Sequence, residues 1–271
     1  MTALLGRSWR AIVGPLEIAD LDVQFSLTRN LKSEANTGSI SVWNLSGDNR
    51  KRLQELASSG VPVQLWAGYE DPGASMIFSG VLYHVDTRRD GPDLVTTIET
   101  GDQNRAGRKV VSFSLVKGST PEQAIRKLAK ALGVSTGNLD DIVAGKVFPS
   151  GKKLGSTGFF GAAADEMTRL CRSVGLEWSI QDGALQLLPF DRPLTGQAVV
   201  LSSATGLVQA PTLDNEGKLT AQSLIIPGIA PGRVIKLDAE FVKGNFRIES
   251  VTYVGETAGS AWYCNIEGKP Y

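Results

Sequence analysis

The 271 residues, 42% apolar and 21% charged, have a globular composition with room for one large domain or two to three small ones. The 28 basic and 28 acidic residues cancel, which argues against the basic excess of a protein that grips nucleic acid by its phosphates. Two cysteines make no disulfide framework, and no apolar run approaches the roughly 18 residues of a membrane span.

The first strand is expected from Arg7 to Gly14, broken by Pro15. The opening residues are too short and interrupted for a secretory signal, so folding in a cytoplasm is expected. From Asp20 to Thr28 the alternation is clean: Leu21, Val23, Phe25 and Leu27 on one face, Asp22, Gln24 and Ser26 on the other. Residues 36–69 read as strand, short helix, strand. Ile40 and Val42 alternate with Ser39 and Ser41. Ser46 is placed to cap the helix, with Asp48 at its positive end. Leu53, Leu56 and Ala57 form its apolar stripe, and Gly60 stops it. The strand Val61 to Ala67 follows. Ile77 to Val85 and Leu94 to Thr100 pair as a hairpin about residues 87–92.

Composition then shifts. A strand from Val110 to Val116 leads to a helix marked by Thr120, Pro121 and Gln123, a capping box with proline at the first helical position. Ala124, Ile125, Leu128, Ala129 and Leu132 are its buried face, and Gly133 ends it. Residues 134–160 read as a Gly-rich, irregular connector. A second helix spans 161–174 with Ala163, Met167, Leu170, Cys171 and Val174 on one side. A hairpin then turns at Asp182-Gly183. From about Thr195 the pattern returns to β, with strands at 199–201, 205–208, 219–226, 233–237, 246–254 and 261–266.

A faint internal repeat links the two β regions. Laid without a gap, 78–99 and 246–267 match Phe78 with Phe246, Gly91 with Gly259, Ile98 with Ile266 and Glu99 with Glu267. Each copy is a strand, a Gly-centred turn and a strand. Each follows a short strand, Val63 to Ala67 or Val234 to Leu237.

Catalytic signals are sparse. His84, the single histidine, sits mid-strand with no nucleophile elbow to serve. Zinc would need several His or Cys ligands at close spacing. Paired carboxylates could hydrolyse a glycoside, but Asp20, Asp22, Glu70, Asp71, Asp140 and Asp141 read as solvated surface. Gly155 to Gly161 precedes a helix yet has neither P-loop nor dinucleotide spacing. Within it, Phe159 and Phe160 either tuck under the neighbouring helix or anchor a partner. The basic runs Arg50-Lys51-Arg52, Arg88-Arg89 and Arg105 to Lys109 read as solvated. Trp9, Trp43, Trp66, Trp178 and Trp262 suit a core or a subunit interface. No catalytic, cofactor or metal residue is assigned.

Three stretches taken together resemble the baseplate (tail) hub proteins of contractile-tailed bacteriophages and related injection machines. They are Ser39 to Ser46 running into its helix; Val63 to Tyr69 followed by Ile77 to Val81; and the series 205–208, Pro211, 223–228, 231–234, 244–248 and Val251. The resemblance implies a mostly β, α+β chain. Two tail-tube-like β-barrel or sandwich domains, 1–104 and 195–271, would flank an α/β module at 105–194. It implies a non-enzymatic virion protein, assembled in the host cytoplasm. As a homotrimeric hub it would join a six-fold tail tube to a three-fold central spike, and DNA would pass through its lumen without specific binding. It also implies contact with other baseplate proteins, a separate spike protein and no cofactor. Two other readings remain: a tail-associated peptidoglycan-degrading glycosidase, or a cell-wall-binding module in 105–190.

Overall fold

The computed structural model describes residues 6–32, 35–102, 109–145, 153–190 and 192–271. They fall into two compact units: one built from the stretches ending at Asn30, from Asn36–Asp102 and from Thr195–Tyr271, the other from Leu31–Ala35 and Gln103–Leu194.

The first unit is almost wholly β. Its early strands are β1 (Arg7–Val13), β2 (Leu16–Ala19), β3 (Val23–Asn30) and β4 (Thr37–Trp43). The β3 alternation emerges with Val23, Phe25 and Leu27 buried, but the strand starts at Val23, leaving Leu21 outside it and only partly buried. Strand β2 escaped the pattern because it holds only four residues. Helix α1 (Gly47–Leu56) starts at Ser46, whose side chain accepts from the Asn49 amide, and buries Leu53. Next come β5 (Pro62–Tyr69), β6 (Gly73–Asp90) and β7 (Asp93–Gly101). The β6–β7 hairpin runs further than expected, to a two-residue turn at Gly91-Pro92, because Asp86 to Asp90 keep pairing with β7.

The second unit holds β8 (Val110–Leu115), α2 (Pro121–Leu132), α3 (Leu139–Ala144), β9 (Thr157–Ala162), α4 (Ala163–Ser173), β10 (Leu176–Gln181) and β11 (Ala184–Pro189). The α2 capping box closes as read. The Gln123 amide donates to Thr120 Oγ1 at 3.3 Å, and Gln123 Oε1 accepts from the Thr120 amide at 3.1 Å. Gly133 ends the helix with φ of 78°, a left-handed conformation that glycine adopts freely. The face Ala124, Ile125, Leu128, Ala129 and Leu132 is buried against Met167, Leu170 and Cys171 of α4. The connector expected at 134–160 is more ordered than its glycines suggested. It contains α3, and its last residues become β9, which pairs with β8. Residues 146–152 of that connector, and the basic run at Arg105 to Arg108, lie outside the described residues.

The chain then returns to the first unit with β12 (Val199–Leu201), β13 (Leu207–Leu213), β14 (Leu219–Ser223), β15 (Val234–Asp238), β16 (Lys243–Glu256) and β17 (Trp262–Pro270). These strands and β1–β7 form one 13-stranded sheet over a shared core. Two runs of five strands repeat within it. The first is ordered β3-β4-β7-β6-β5. The second is β13-β14-β17-β16 with β15 beside β16. Each five-strand run uses the same chain order and antiparallel pairing.

Register fixes the equivalence. In the first run Ile40, Ile98 and Val85 lie side by side; in the second Ala221, Ile266 and Val251 do. All six are buried. Both hairpins carry one extra residue at the same place: Tyr83 between the pairs Leu82–Thr100 and His84–Glu99, and Glu249 between Ile248–Gly268 and Ser250–Glu267. The gapless overlay of the sequence is therefore right for β7 on β17 and slipped by two residues for β6 on β16. Val85 pairs with Ile98 where Val251 pairs with Ile266, so the second hairpin is two residues longer. A gapless match cannot serve both strands.

Candidate functional site

The feature that organises the first unit is the line where the two strand runs meet. There β3 pairs with the C-terminal half of β16, from Asn30–Ser250 to Gln24–Glu256. On one edge of β16, β17 pairs from Phe246 to Gly255. The other edge of β16 is shared by β15, up to Arg247, and by β3 from Ser250.

Packing across this line is tight. Gly255 stands opposite Phe25. A β-carbon on Gly255 would come within 2.2 Å of the Phe25 ring, so glycine is required for the approach. The ring meets Trp262 edge-on at 5.3 Å between centroids. Trp262 Nε1 donates to the Gly68 carbonyl at 2.8 Å, and the Tyr69 hydroxyl donates to the Trp262 carbonyl at 3.2 Å. Burial raises the Tyr69 phenol above its ordinary range, keeping that donor protonated.

The β16–β17 turn is gripped from the first run. The Arg7 guanidinium donates to the carbonyls of Glu256, Gly259 and Ser260 and lies 5.5 Å from the Trp262 ring centre. The Val23 amide donates to Thr257 Oγ1 at 2.9 Å, and the Thr257 amide returns a bond to the Val23 carbonyl at 3.0 Å. The Thr257 hydroxyl also lies 3.1 Å from Asp22 Oδ1.

A cleft of about 570 Å³ opens beside this grip, lined by Arg7, Trp9, Asp20, Asp22, Trp43 and Glu70 among others. It gathers three of the carboxylates that read as surface. All three are exposed, and Asp71, Asp140 and Asp141 are exposed elsewhere. Asp140 pairs with Arg126. His84 is exposed on β6. No cluster of three metal-ligating side chains occurs among the described residues. Cys171 and Cys264 are both buried, and desolvation pushes each thiol up to about 12.

The Phe159–Phe160 pair is split. Both lie on β9, a strand where a loop was expected, so they face opposite ways. Phe159 is fully buried and stacks on Phe113 at 4.8 Å, with the Arg169 guanidinium 5.4 Å from its ring centre. Phe160 is 63% exposed. Nothing in the local sequence marked the grip on the β16–β17 turn. Arg7 and residues 256–260 lie at opposite ends of the chain, and only the pattern of strand order connects them.

Residues 16–268 match a family model described as baseplate hub gp41. Among solved structures, the fold resembles the 43 kDa tail protein of prophage MuSo2 from Shewanella oneidensis. The TM-score is 0.69 at 9% identity, covering 98% of this chain and 97% of that one. It also resembles a tail protein from Neisseria meningitidis MC58, with a TM-score of 0.68 at 12% identity over 97% and 96% of the two chains. The c3393 protein of E. coli, a type VI secretion component described as similar to the T4 tail proteins gp27 and gp5, gives a TM-score of 0.62 at 12% identity. That match covers 96% of this chain and 76% of the other. No curated protein matches by sequence.

Proposed function

The chain belongs to the baseplate hub gp41 family, a family of structural tail proteins, and from that membership we propose that it is a trimeric hub joining a six-fold tail tube to a three-fold central spike. The observation that carries this reading is the repeated five-strand order, with its matching extra residue at Tyr83 and Glu249. Two alike halves per chain let three chains present six alike surfaces to the tube, while the assembly keeps three-fold symmetry for the spike. Residues 1–104, apart from Leu31–Ala35, and 195–271 supply those halves, and 105–194 supply a separate α/β module between them in sequence. The expected division at 104/105 lies outside the described residues.

A protein in this role works by shape, symmetry and edge pairing, without making or breaking bonds. Zero net charge suits a conduit, because DNA sliding past a strongly basic wall would be held by its phosphates. The particle is a virion tail assembled in the host cytoplasm, with tube, spike and other baseplate proteins as partners.

Mass measurement of the purified protein tests the proposal. A trimer, imaged as a ring with a central hole, is the expected result. A monomer that persists at high concentration would overturn it.

The cleft with Asp20, Asp22 and Glu70 gives one specific reason to weigh the glycosidase reading. Its neighbours are otherwise engaged: Arg7 holds the β16–β17 turn and Asp22 faces the Thr257 hydroxyl. We assign the cleft to architecture. Peptidoglycan clearing in a zymogram, lost on changing Glu70 or Asp20 to its amide, would reverse that assignment.

A further inference from the structure

The pairing of β3 with β16 uses two edges, and the repeat supplies a second copy of each that no strand among the described residues uses. The counterpart of the β16 edge is β6 from His84 to Asp90, which pairs only with β7 over that length among the described residues. The counterpart of β3 is β13, which pairs with β14 and ends the sheet. Left bare, two such edges invite further strand pairing. We propose that β6 of one copy pairs antiparallel with β13 of the next copy, head to tail, repeating the β16–β3 line between subunits. This rests on the trimeric reading above and specifies how such a ring would close.

The register follows from the repeat. Val254 pairs with Ser26 and Tyr253 with Leu27. Val254 and Tyr253 correspond to Arg88 and Thr87. Ser26 and Leu27 correspond to Thr212 and Leu213, which stand opposite Thr220 and Leu219 as Ser26 and Leu27 stand opposite Ser39 and Gly38. The new line therefore sets Arg88 against Thr212 and Thr87 against Leu213.

Three observations at the bare edges fit this occupant. First, Leu213 lies opposite buried Leu219, on the core side of the sheet, yet it is 45% exposed because the sheet stops there. Its counterpart Leu27 is fully buried under the β3–β16 pairing. Second, bulk is exchanged. The internal line sets large Phe25 against Gly255; the new one sets small Ala210 and Pro211 against Arg89. Third, charge is complementary. Beside β13 lies a hollow of about 310 Å³ whose charged lining residues are Asp238, already paired with Lys243 at 3.0 Å, and Glu240, next to Phe241 at 85% exposure. Arg89 would reach into it. Pro211 cannot donate to a ladder and β13 is bulged twice, so the pairing is firmest at its Thr212–Leu213 end.

The test is a cysteine pair in the full chain, Thr87→Cys with Leu213→Cys, since both native thiols are buried. On oxidation the double variant should give a covalent ladder ending at the trimer. An equal mixture of the two single variants should stop at the dimer. Arg89→Glu should weaken self-association roughly tenfold or more, and Glu240→Arg in the same chain should restore it. Unchanged circular dichroism and melting would confirm that the variants fold. A folded trimer that does not cross-link through this pair overturns the edge pairing and leaves the trimeric hub standing. A folded monomer at high concentration overturns both.

Discussion

Phe25 and Gly255 face each other across two strands from opposite ends of the chain, with no room for so much as a methyl group between them. That contact seals the first strand run to the second. Gly255→Ala should therefore cost about 1–3 kcal/mol in urea unfolding, as overpacking does. Phe25→Leu in the same chain should recover part of the loss, while Phe25→Ala in the native background should cost about 3–5 kcal/mol by leaving a cavity.

Trp262 closes the same line with a hydrogen bond as well as bulk. Trp262→Phe keeps much of the ring but leaves the buried Gly68 carbonyl without its 2.8 Å donor. The expected loss is about 1–3 kcal/mol, measured by the same unfolding transition.

The second unit offers a local control. Thr120→Ala removes the α2 cap and one half of the capping box. It should lower stability by about 1 kcal/mol, detectable as a shift in thermal or urea midpoint, and leave self-association unchanged.

The two adjacent phenylalanines should behave differently. Phe159→Ser empties a filled, stacked position in the core of the second unit and should cost several kcal/mol. Phe160→Ser removes an exposed ring and should leave unfolding within about 0.5 kcal/mol of the parent. If Phe160 meets the spike or another tail protein, only the single Phe160 variant will show it, as failed assembly by a folded chain.

Both cysteines should be inert in the native protein. Burial holds each thiol protonated to about pH 12, so the reactive thiolate is scarce at pH 8. A chromogenic disulfide reagent should register no fast thiol in buffer and two in denaturant.

Much of the local structure was legible because single residues carried it. The Val23–Phe25–Leu27 alternation, the Ser46 and Thr120 caps and the Gly133 stop each act within a few positions. What escaped was either too short for a period, like β2, or hidden by glycine. Gly155 to Gly161 read as a connector, yet two of those glycines lie in β9 and pair with β8. The repeat was visible in outline but misaligned, because four matching letters could not reveal a hairpin two residues longer. The β3–β16 line was out of reach altogether. Thr28 and Thr252 touch across it from 224 positions apart, and neither strand names its partner. The same limit hid the cleft, whose acidic residues come from separate loops. Phe159 and Phe160 could be marked, but not told apart, until the connector was known to be extended.

The shared sheet also sets an order of events during synthesis. Residues 250–256, which cover β3, emerge only after the whole α/β unit has left the ribosome. Until then the early strands form an incomplete sheet with a bare flank, while the later-made module draws its buried core from residues between Val111 and Leu187 alone. The middle of the polypeptide can thus reach its final form before the beginning does, and closing so distant a pairing should be the slow step of folding.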